Sequence, residues 1–311
     1  AELLAKTAGL ERRAGDWSSA ETHLDQARDL LGEADLSDLR RDVYTRTACL
    51  AVDRRNRQRA LEYLDRTRSI PAGDHNRKAC ANLNRMAYIH HRLGNDERAR
   101  ALAEQARALA EEIGDKRLEG LSLQHVGLAR LGRGLYVEAA ERFDRALQLH
   151  RTHGQPYAGA VALARLARAR HLSGQDDEAM QDYGRARRMF RKIQARPCRA
   201  RLAFGLGALR FGRDDFETAI DLFEEATSEY RAIGDRFGEA RVRTGAAWAR
   251  MAAGDVDEGV SLLRELASLD SPFAPLATAT LAAAGESTPD AHDVDAALRA
   301  ALDDAITATS R

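Results

Sequence analysis

The sequence predicts an all-α protein made of repeated helix pairs, and three observations lead to this fold class. A small residue recurs at steps of 39 or 40 positions, which indicates one structural unit copied along an axis. Glycine recurs with the same period between apolar segments, as expected for short turns between helices. No segment alternates in polarity long enough to indicate a strand. The recurring small residues are Ala20, Ala60, Ala99, Ala139, Ala179, Ala219 and Gly259.

Each unit is predicted to form a helix, a tight turn and a second helix. The residue that follows the turn is Asp or Asn in five of the seven units, and such side chains accept hydrogen bonds from the first N–H groups of a helix. Asp255 and Glu258 also have the spacing of a capping box. The turn glycines are Gly15, Gly94, Gly134, Gly174 and Gly254. The capping residues are Asp16, Asn56, Asn95, Asp215 and Asp255.

Two further columns predict how the helices of a pair pack. In the second helix, the recurring small residue is followed four and seven positions later by further apolar residues, as in Ala139, Phe143 and Ala146. This spacing places them on one buried helical face. A small residue in the first helix allows the two helices to approach closely. That column is Ala8, Ala48, Ala87, Gly127, Ala167, Gly207 and Ala247.

The repeats are predicted to cover residues 1–270, and residues 271–311 are predicted to form a C-terminal helical cap. Pro272 and Pro275 interrupt the pattern after the seventh unit, and Thr288-Pro289 opens a last apolar-faced helix, because proline is well placed at a helix start. The predicted units are about 1–37, 38–76, 77–116, 117–156, 157–196, 197–236 and 237–270.

These columns resemble the tetratricopeptide repeat, as in Gly134-Leu-Tyr-Val-Glu-Ala139 and Phe223-Glu-Glu-Ala226. The resemblance implies a right-handed α-solenoid, a superhelix whose first helices line a concave face. The 40-residue period and the Ile-Gly-Asp links at 113–115 and 233–235 are similar to a longer subtype. That subtype occurs in sensor domains of bacterial signal-transduction ATPase regulators and in animal polarity adaptors. The resemblance is specific for fold and weak for function.

Composition excludes some function classes. Lys and Arg total 48, as do Asp and Glu, so no strong global charge favours nucleic acid or a membrane. Cys49, Cys80 and Cys198 form no CxxC pair, which favours buried reduced thiols. With no signal peptide and no long apolar run, we expect a cytoplasmic location. The chain begins without Met inside a helical pattern, so we expect a piece of a larger regulator.

One column departs from the family. Where the repeat usually has Tyr, this chain has Arg130, Arg170, Arg210 and Arg250, preceded by His90. Glu138, Glu178 and Glu258 follow three of these arginines by eight residues, which favours an internal ladder of salt bridges. The alternative is an anion-binding ladder for a carboxylate-rich or phosphorylated ligand.

A basic stretch, Arg185 to Arg201, precedes an acidic stretch at 214–229. Neighbouring helices of opposite charge can simply pair. The alternative is a partner-docking or nucleic-acid patch, which the balanced net charge and the absence of a recognised reading motif disfavour.

A binding groove follows from the resemblance, carried over to the first-helix positions of this chain. Several of these residues are large and apolar, so that a shared exposed surface would mark a binding site, although Leu128, Phe204 and Trp248 also fit a core role. The predicted groove residues are Asn84, Tyr88, His91, Gln124, Leu128, Leu131, Arg168, His171, Arg201, Phe204, Phe211, Thr244, Trp248 and Met251.

No motif indicates catalysis, a cofactor or a metal. The sequence lacks GxxxxGK[ST], GxSxG and HExxH, the histidine pairs lack the converging ligands of a zinc site, and Gly205-Leu-Gly207 falls inside a predicted helix without a preceding strand. We therefore expect a non-catalytic module that binds a peptide, a protein segment or a small effector. Alternatives are a scaffold without a regulatory ligand and a nucleic-acid binder.

Overall fold

The computed structural model describes residues 1–32, 36–70, 77–193, 195–268 and 277–278. Every regular element in these residues is an α-helix, and the helices form consecutive pairs, which confirms the predicted fold class. The helices are α1 (Glu2–Ala14), α2 (Trp17–Leu31), α3 (Ser37–Asp53), α4 (Arg57–Arg68), α5 (Arg77–Arg92), α6 (Asp96–Glu112), α7 (Lys116–Gly132), α8 (Tyr136–Thr152), α9 (Pro156–Leu172), α10 (Asp176–Phe190), α11 (Arg196–Phe211), α12 (Phe216–Ala232), α13 (Arg236–Ala253) and α14 (Val256–Ser268).

The chain divides into two compact units. The first contains α1–α10 and the second contains α11–α14. In the first unit, successive first helices contact one another, as α3 does with α5 and α5 with α7. The predicted cap at 271–311 lies outside the described residues apart from 277–278, and the division into seven repeats and a cap stays a prediction.

The turn within each pair uses a left-handed backbone. Gly134 has φ 76°, a region that glycine enters without the steric cost of a Cβ atom. All five predicted turn glycines have positive φ, whereas the second and sixth pairs place Arg55 (φ 60°) and Asp214 (φ 59°) there. The turn geometry therefore persists even where the sequence signal for it is missing.

Helix capping follows the prediction in part. Asp16 accepts a hydrogen bond from the Ser19 N–H at 3.1 Å, and Asn56 accepts one from the Arg59 N–H at 3.0 Å. Asn95, predicted to cap α6, stands at the N-cap without a side-chain capping bond. Its backbone carbonyl instead accepts from the Ala99 N–H.

The predicted small-residue columns are buried where the two helices of a pair meet. The recurring alanines of the second helices, from Ala20 to Ala219, are 0% exposed. A Cβ atom at Gly127 would lie 2.7 Å from Cε1 of Phe143, and one at Gly207 would lie 2.8 Å from Cε1 of Phe223. Glycine thus occurs in this column in the two pairs whose partner residue is phenylalanine, whereas the fifth pair combines Ala167 with Tyr183.

Candidate binding site

Polar side chains from five successive first helices converge in the first unit, and we call this set the first-helix cluster. It combines guanidinium, carboxylate, imidazole and phenol groups, and its members lie on α1, α3, α5, α7 and α9. They are Arg12, Asp42, Arg46, Asp53, Arg85, Tyr88, His91, Arg92, His125 and Arg165.

Asp53 is the centre of one part of the cluster. Its carboxylate accepts hydrogen bonds from Arg12, from the Tyr88 hydroxyl and from Arg92, whose Nη1 lies 2.9 Å from Oδ1. Burial is the largest single effect and acts to lower the pKa of Arg12, but the charges of Asp53, Cys49 and Tyr88 and the hydrogen bond to Asp53 together raise it. Two helices, α1 and α5, therefore supply two guanidinium groups and one hydroxyl to a single carboxylate on α3.

A second carboxylate, Asp42, is shared by two more arginines. Its Oδ2 lies 2.8 Å from Arg46 Nε and its Oδ1 lies 2.6 Å from Arg85 Nη1. Burial and then the charge of Arg46 lower the pKa of Arg85 to about 10, although Asp42 opposes the shift. Positive charge is thus in excess here, since repulsion between the arginines outweighs the attraction of Asp42.

His125 occupies the part of the cluster nearest α9. It is 7% exposed, its ring lies 6.1 Å from the Tyr88 ring, and its Nδ1 is buried without a hydrogen-bond partner among the described residues. Burial lowers the pKa of His125 well below its usual range, and the charges of Arg165, His91 and Arg12 lower it further. The imidazole is therefore neutral at pH 7 and lies in a positive environment.

Arg165 and His91 connect the cluster to the second helices. Arg165 Nη1 donates to Gln124 Oε1 at 2.7 Å, and Gln124 Nε2 lies 2.8 Å from His150 Nε2. His91 Nδ1 lies 2.6 Å from an oxygen of Asp96. The predicted residues Gln124 and His91 therefore belong to internal polar networks, and these contacts fix the orientation of α5, α7 and α9.

The structure brings only some of the predicted groove residues together. Tyr88 and His91 belong to the first-helix cluster, and Gln124 bonds to it. Asn84 is buried and donates to the Ser122 hydroxyl at 2.9 Å. Arg168 and Arg201 are exposed, and His171 and Phe204 are half-buried. The remaining predicted residues are buried and do not form an open apolar patch: Leu128, Leu131, Phe211, Thr244, Trp248 and Met251.

The arginine column makes ion pairs. Arg130 pairs with Glu138, and Arg250 pairs with Glu258 at 3.4 Å, at the predicted spacing of eight. Arg170 pairs with Asp182 rather than with Glu178, because the acid one turn further along α10 is buried against it. Arg210 Nη1 lies 2.9 Å from Asp215 Oδ2. These contacts fit the internal salt-bridge ladder.

His90, at the head of that column, differs from the arginines. It is 5% exposed, and neither ring nitrogen has a hydrogen-bond partner among the described residues. Burial, followed by the charges of Arg68 and Arg98, lowers the pKa of His90 to about 4. The position therefore holds a neutral ring at pH 7.

The basic stretch also pairs with carboxylates. Arg199 lies 2.7 Å and Arg196 lies 3.6 Å from the Glu229 carboxylate on α12, while Arg185 lies 3.3 Å from Asp182. Basic α11 and acidic α12 therefore neutralise each other in part, as expected for neighbouring helices of opposite charge.

Two other kinds of site are not found within the described parts of the chain. No group of three or more His, Cys, Asp or Glu side chains is placed to hold a metal ion. No described helix is long and apolar enough to cross a membrane. The three cysteines are free and buried.

Several cluster residues, namely Arg12, Asp53, Arg85, His125 and Arg165, were absent from the sequence prediction. The sequence does contain a signal for three of them. Arg85, His125 and Arg165 are spaced 40 residues apart and therefore occupy one column of the repeat. A polar residue in the same buried-face column of three successive units is the pattern that would have revealed them.

Comparisons with known proteins identify the repeat and the fold. Residues 77–152 match the family model described as the tetratricopeptide repeat. No curated protein sequence matches the chain.

Several solved structures share this fold. A Rap protein complexed with competence and sporulation factor has a TM-score of 0.65 at 12% identity, with 99% of this chain and 98% of that chain covered. NprR in complex with its cognate peptide NprX has a TM-score of 0.61 at 12% identity, covering 85% and 76%. A signal transduction ATPase with a tetratricopeptide repeat sensor, from Pyrococcus horikoshii, has a TM-score of 0.52 at 19% identity, covering 85% and 40%. At these identities the likeness concerns the fold.

Proposed function

We propose that this protein is a non-catalytic binding module that holds a peptide or protein segment against its first helices, as the sensor or interaction domain of a larger regulator. The observation that carries the proposal is the convergence of polar side chains from five first helices in one compact unit. A surface assembled from several repeats can contact successive residues of an extended ligand.

The comparisons support the same function class. Two of the similar structures, the Rap protein and NprR, are complexes with a signalling factor or a peptide, and a third contains a repeat domain described as a sensor. The 40-residue period suggests the longer repeat subtype for this chain as well. A small effector in place of a peptide remains within the proposal, because a first-helix surface could hold either.

Nucleic-acid binding is the less favoured alternative. Arg185, Arg196 and Arg199 already contact carboxylates, which reduces the positive potential that phosphate binding requires.

The test is selection of peptides from a random dodecapeptide library on the full chain, followed by titration of the selected peptides by calorimetry. We expect saturable one-to-one binding that Arg168→Ala on α9 weakens several-fold, because its exposed guanidinium lies on a first helix. Arg188→Ala on α10, the second helix of the same pair, is the matched control and should leave binding unchanged. Failure to select any saturable peptide, or equal losses in both variants, would overturn the proposal.

A further inference from the structure

A cavity of about 190 Å³ lies between two successive second helices of the first unit. Its walls come from α2, from the C-terminal half of α3, and from the turn and first residues that lead into α4. None of the residues that line it belongs to the first-helix cluster. Cavities of roughly 150 Å³ hold a benzene-sized molecule, so this one has room for a small organic ligand.

The cavity lies at a column of the repeat that contains a small residue in this pair. The position three residues after the small residue of each first helix holds Glu, His or Arg in six of the seven pairs, but Ala51 in the second pair. In the seventh pair this position is Arg250, which pairs with Glu224 on α12 and Glu258 on α14. A side chain in this column can thus span the space between two second helices, whereas the methyl group of Ala51 cannot.

The charges beside the cavity are reversed relative to the seventh pair. There, Glu258 directly precedes the recurring small residue of its second helix and pairs with Arg250. The corresponding residue of the second pair is Arg59, and it binds Glu21 of α2. Arg54 binds the other oxygen of the same carboxylate. The side chains that line the cavity therefore carry two positive charges and one negative charge.

Hydrogen-bond donors around the cavity are also in excess. Arg54 binds Glu21 through Nη1, and its other guanidinium nitrogens have no partner among the described residues. Asn56 accepts from the Arg59 N–H through Oδ1, while its amide N–H groups have no partner in the described part of the chain. Asp25 lies 3.6 Å from Arg59 but does not line the cavity. Free donors in a positive environment select an anionic acceptor.

The cavity combines this polar rim with an apolar wall that solvent can reach. Leu24 of α2 and Leu50 of α3 line it and are 2% and 3% exposed, whereas the Arg54 side chain is 44% exposed. An apolar group placed against the leucines is removed from water, which favours binding. A carboxylate on the same molecule would lie at the rim.

We propose that this cavity binds a small organic monocarboxylate with an apolar body, of about the size of benzoate. The carboxylate accepts hydrogen bonds from Arg54 and Asn56, and the apolar body packs against Leu24, Leu50 and Ala51. The ligand is a free acid, and its site is separate from the surface proposed above for a peptide.

The first test is a titration of the full chain, labelled with ¹³C in its leucine methyl groups, with benzoate. The methyl signals of Leu24 and Leu50 should shift and saturate. Benzamide lacks the charge and acetate lacks the apolar body, so each should bind about tenfold more weakly or worse. Shifts that do not saturate by ~10 mM benzoate, or equal affinity for benzamide or acetate, would overturn the proposal.

A second comparison distinguishes a free acid from the C-terminus of a peptide. The tripeptide alanyl-alanyl-phenylalanine carries the same phenyl and carboxylate groups as 3-phenylpropanoate. We expect the tripeptide to bind about tenfold more weakly, because its additional amide group would lie against the apolar wall without a hydrogen-bond partner. Equal or tighter binding of the tripeptide would refute the assignment to a free acid.

Two variants assign binding to the cavity. Ala51→Leu fills it and should weaken benzoate binding about tenfold or more, while the melting temperature stays at or above that of the wild type, because the added side chain enters existing space. Arg54→Gln removes a charge and should weaken benzoate binding about tenfold but leave benzamide binding unchanged. Arg66→Gln is the matched control, since Arg66 pairs with Glu62 and does not line the cavity.

The variants keep the proposal open to refutation. Wild-type affinity for benzoate in a folded Ala51→Leu protein would refute it, as would equal losses in Arg54→Gln and Arg66→Gln. If Ala51→Leu does not fold, Arg54→Gln decides alone. These measurements use no selected peptide, so the cavity and the peptide-binding function can each fail without the other.

Discussion

At the scale of single residues, the structure separates polar side chains that the fold uses from those that it leaves unsatisfied. Both polar atoms of the Gln124 amide make hydrogen bonds. Its Oε1 accepts from Arg165, and its Nε2 donates to His150 and to the Ala158 carbonyl. Because Gln124 Nε2 is a donor, His150 Nε2 accepts and its Nδ1 donates to Gln155. His90 and His125 lack such arrangements at one or both nitrogens.

His90 provides a prediction for stability and its pH dependence. Between pH 6.5 and about 4 the unfolded chain binds a proton that the folded His90 does not, so stability is lost as pH falls through this window. His90→Leu should therefore unfold at equal or higher urea concentration at pH 7, because it removes two unpaired buried nitrogens. It should also lose less stability between pH 7 and pH 5 than the wild type.

The measurement is the free energy of unfolding in urea at both pH values. The upper bound on the wild-type slope from this one group is about 1.4 kcal/mol per pH unit. Gly184→Ala on α10, which changes no titratable group, is the control and should keep the wild-type slope. An unchanged slope in His90→Leu would contradict the assignment.

At the scale of the helix pair, packing depends on matched residue sizes. Gly127 faces Phe143 and Gly207 faces Phe223 at distances that leave no room for a Cβ atom. The first pair instead combines Ala8 with Leu24 in one buried cluster. The same backbone arrangement is therefore filled by alternative combinations of side chains.

This complementarity predicts the outcome of a double-mutant cycle. Gly127→Ala should destabilise the protein by about 1–3 kcal/mol through overpacking, despite the better helix propensity of alanine. Combined with Phe143→Leu, it recreates the combination of the first pair, and the double variant should recover part of the loss.

The control for this cycle is Gly184→Ala on α10. A Cβ atom there would lie 3.8 Å from its nearest neighbour, Arg188 Nη1, so the substitution should stabilise by roughly 0.5–1 kcal/mol. Strictly additive effects of Gly127→Ala and Phe143→Leu in urea unfolding would show that the two residues are not coupled.

At the scale of the whole molecule, stability is expected to be local, because each helix packs mainly against its neighbours in the chain. Repeat proteins of this kind behave as a sum of unit stabilities and nearest-neighbour terms. The two compact units, α1–α10 and α11–α14, are then free to differ in stability.

Amide hydrogen exchange can test this locality. Gly127→Ala should raise exchange rates by about tenfold in α7 and α8, because roughly 1.4 kcal/mol corresponds to a tenfold change in local opening. The increase should be smaller in α6 and α9, and exchange in α13 and α14 should not change. A uniform increase over all described helices would indicate a single cooperative unit instead.

The sequence by itself determined the fold class, the pairing of helices and most turns. These features recur along the chain and depend on local rules, namely helical periodicity, glycine with positive φ and small residues at helix contacts. The second and sixth pairs depart from the glycine rule with Arg55 and Asp214. The salt bridges of Arg130 and Arg250 were also predictable, because their acids follow at a fixed spacing within one pair.

Only the tertiary structure decided which side chains meet across pairs. Arg12, Asp53, Tyr88 and His125 lie on four different helices and up to 113 residues apart, and their convergence depends on how each pair is rotated against the next. Trp248 and Phe211 are buried although their spacing also fits a groove, and Phe211 packs against the Phe216 ring at 5.5 Å. Local sequence rules do not predict the rotation of one helix pair against the next, since packing between pairs sets it.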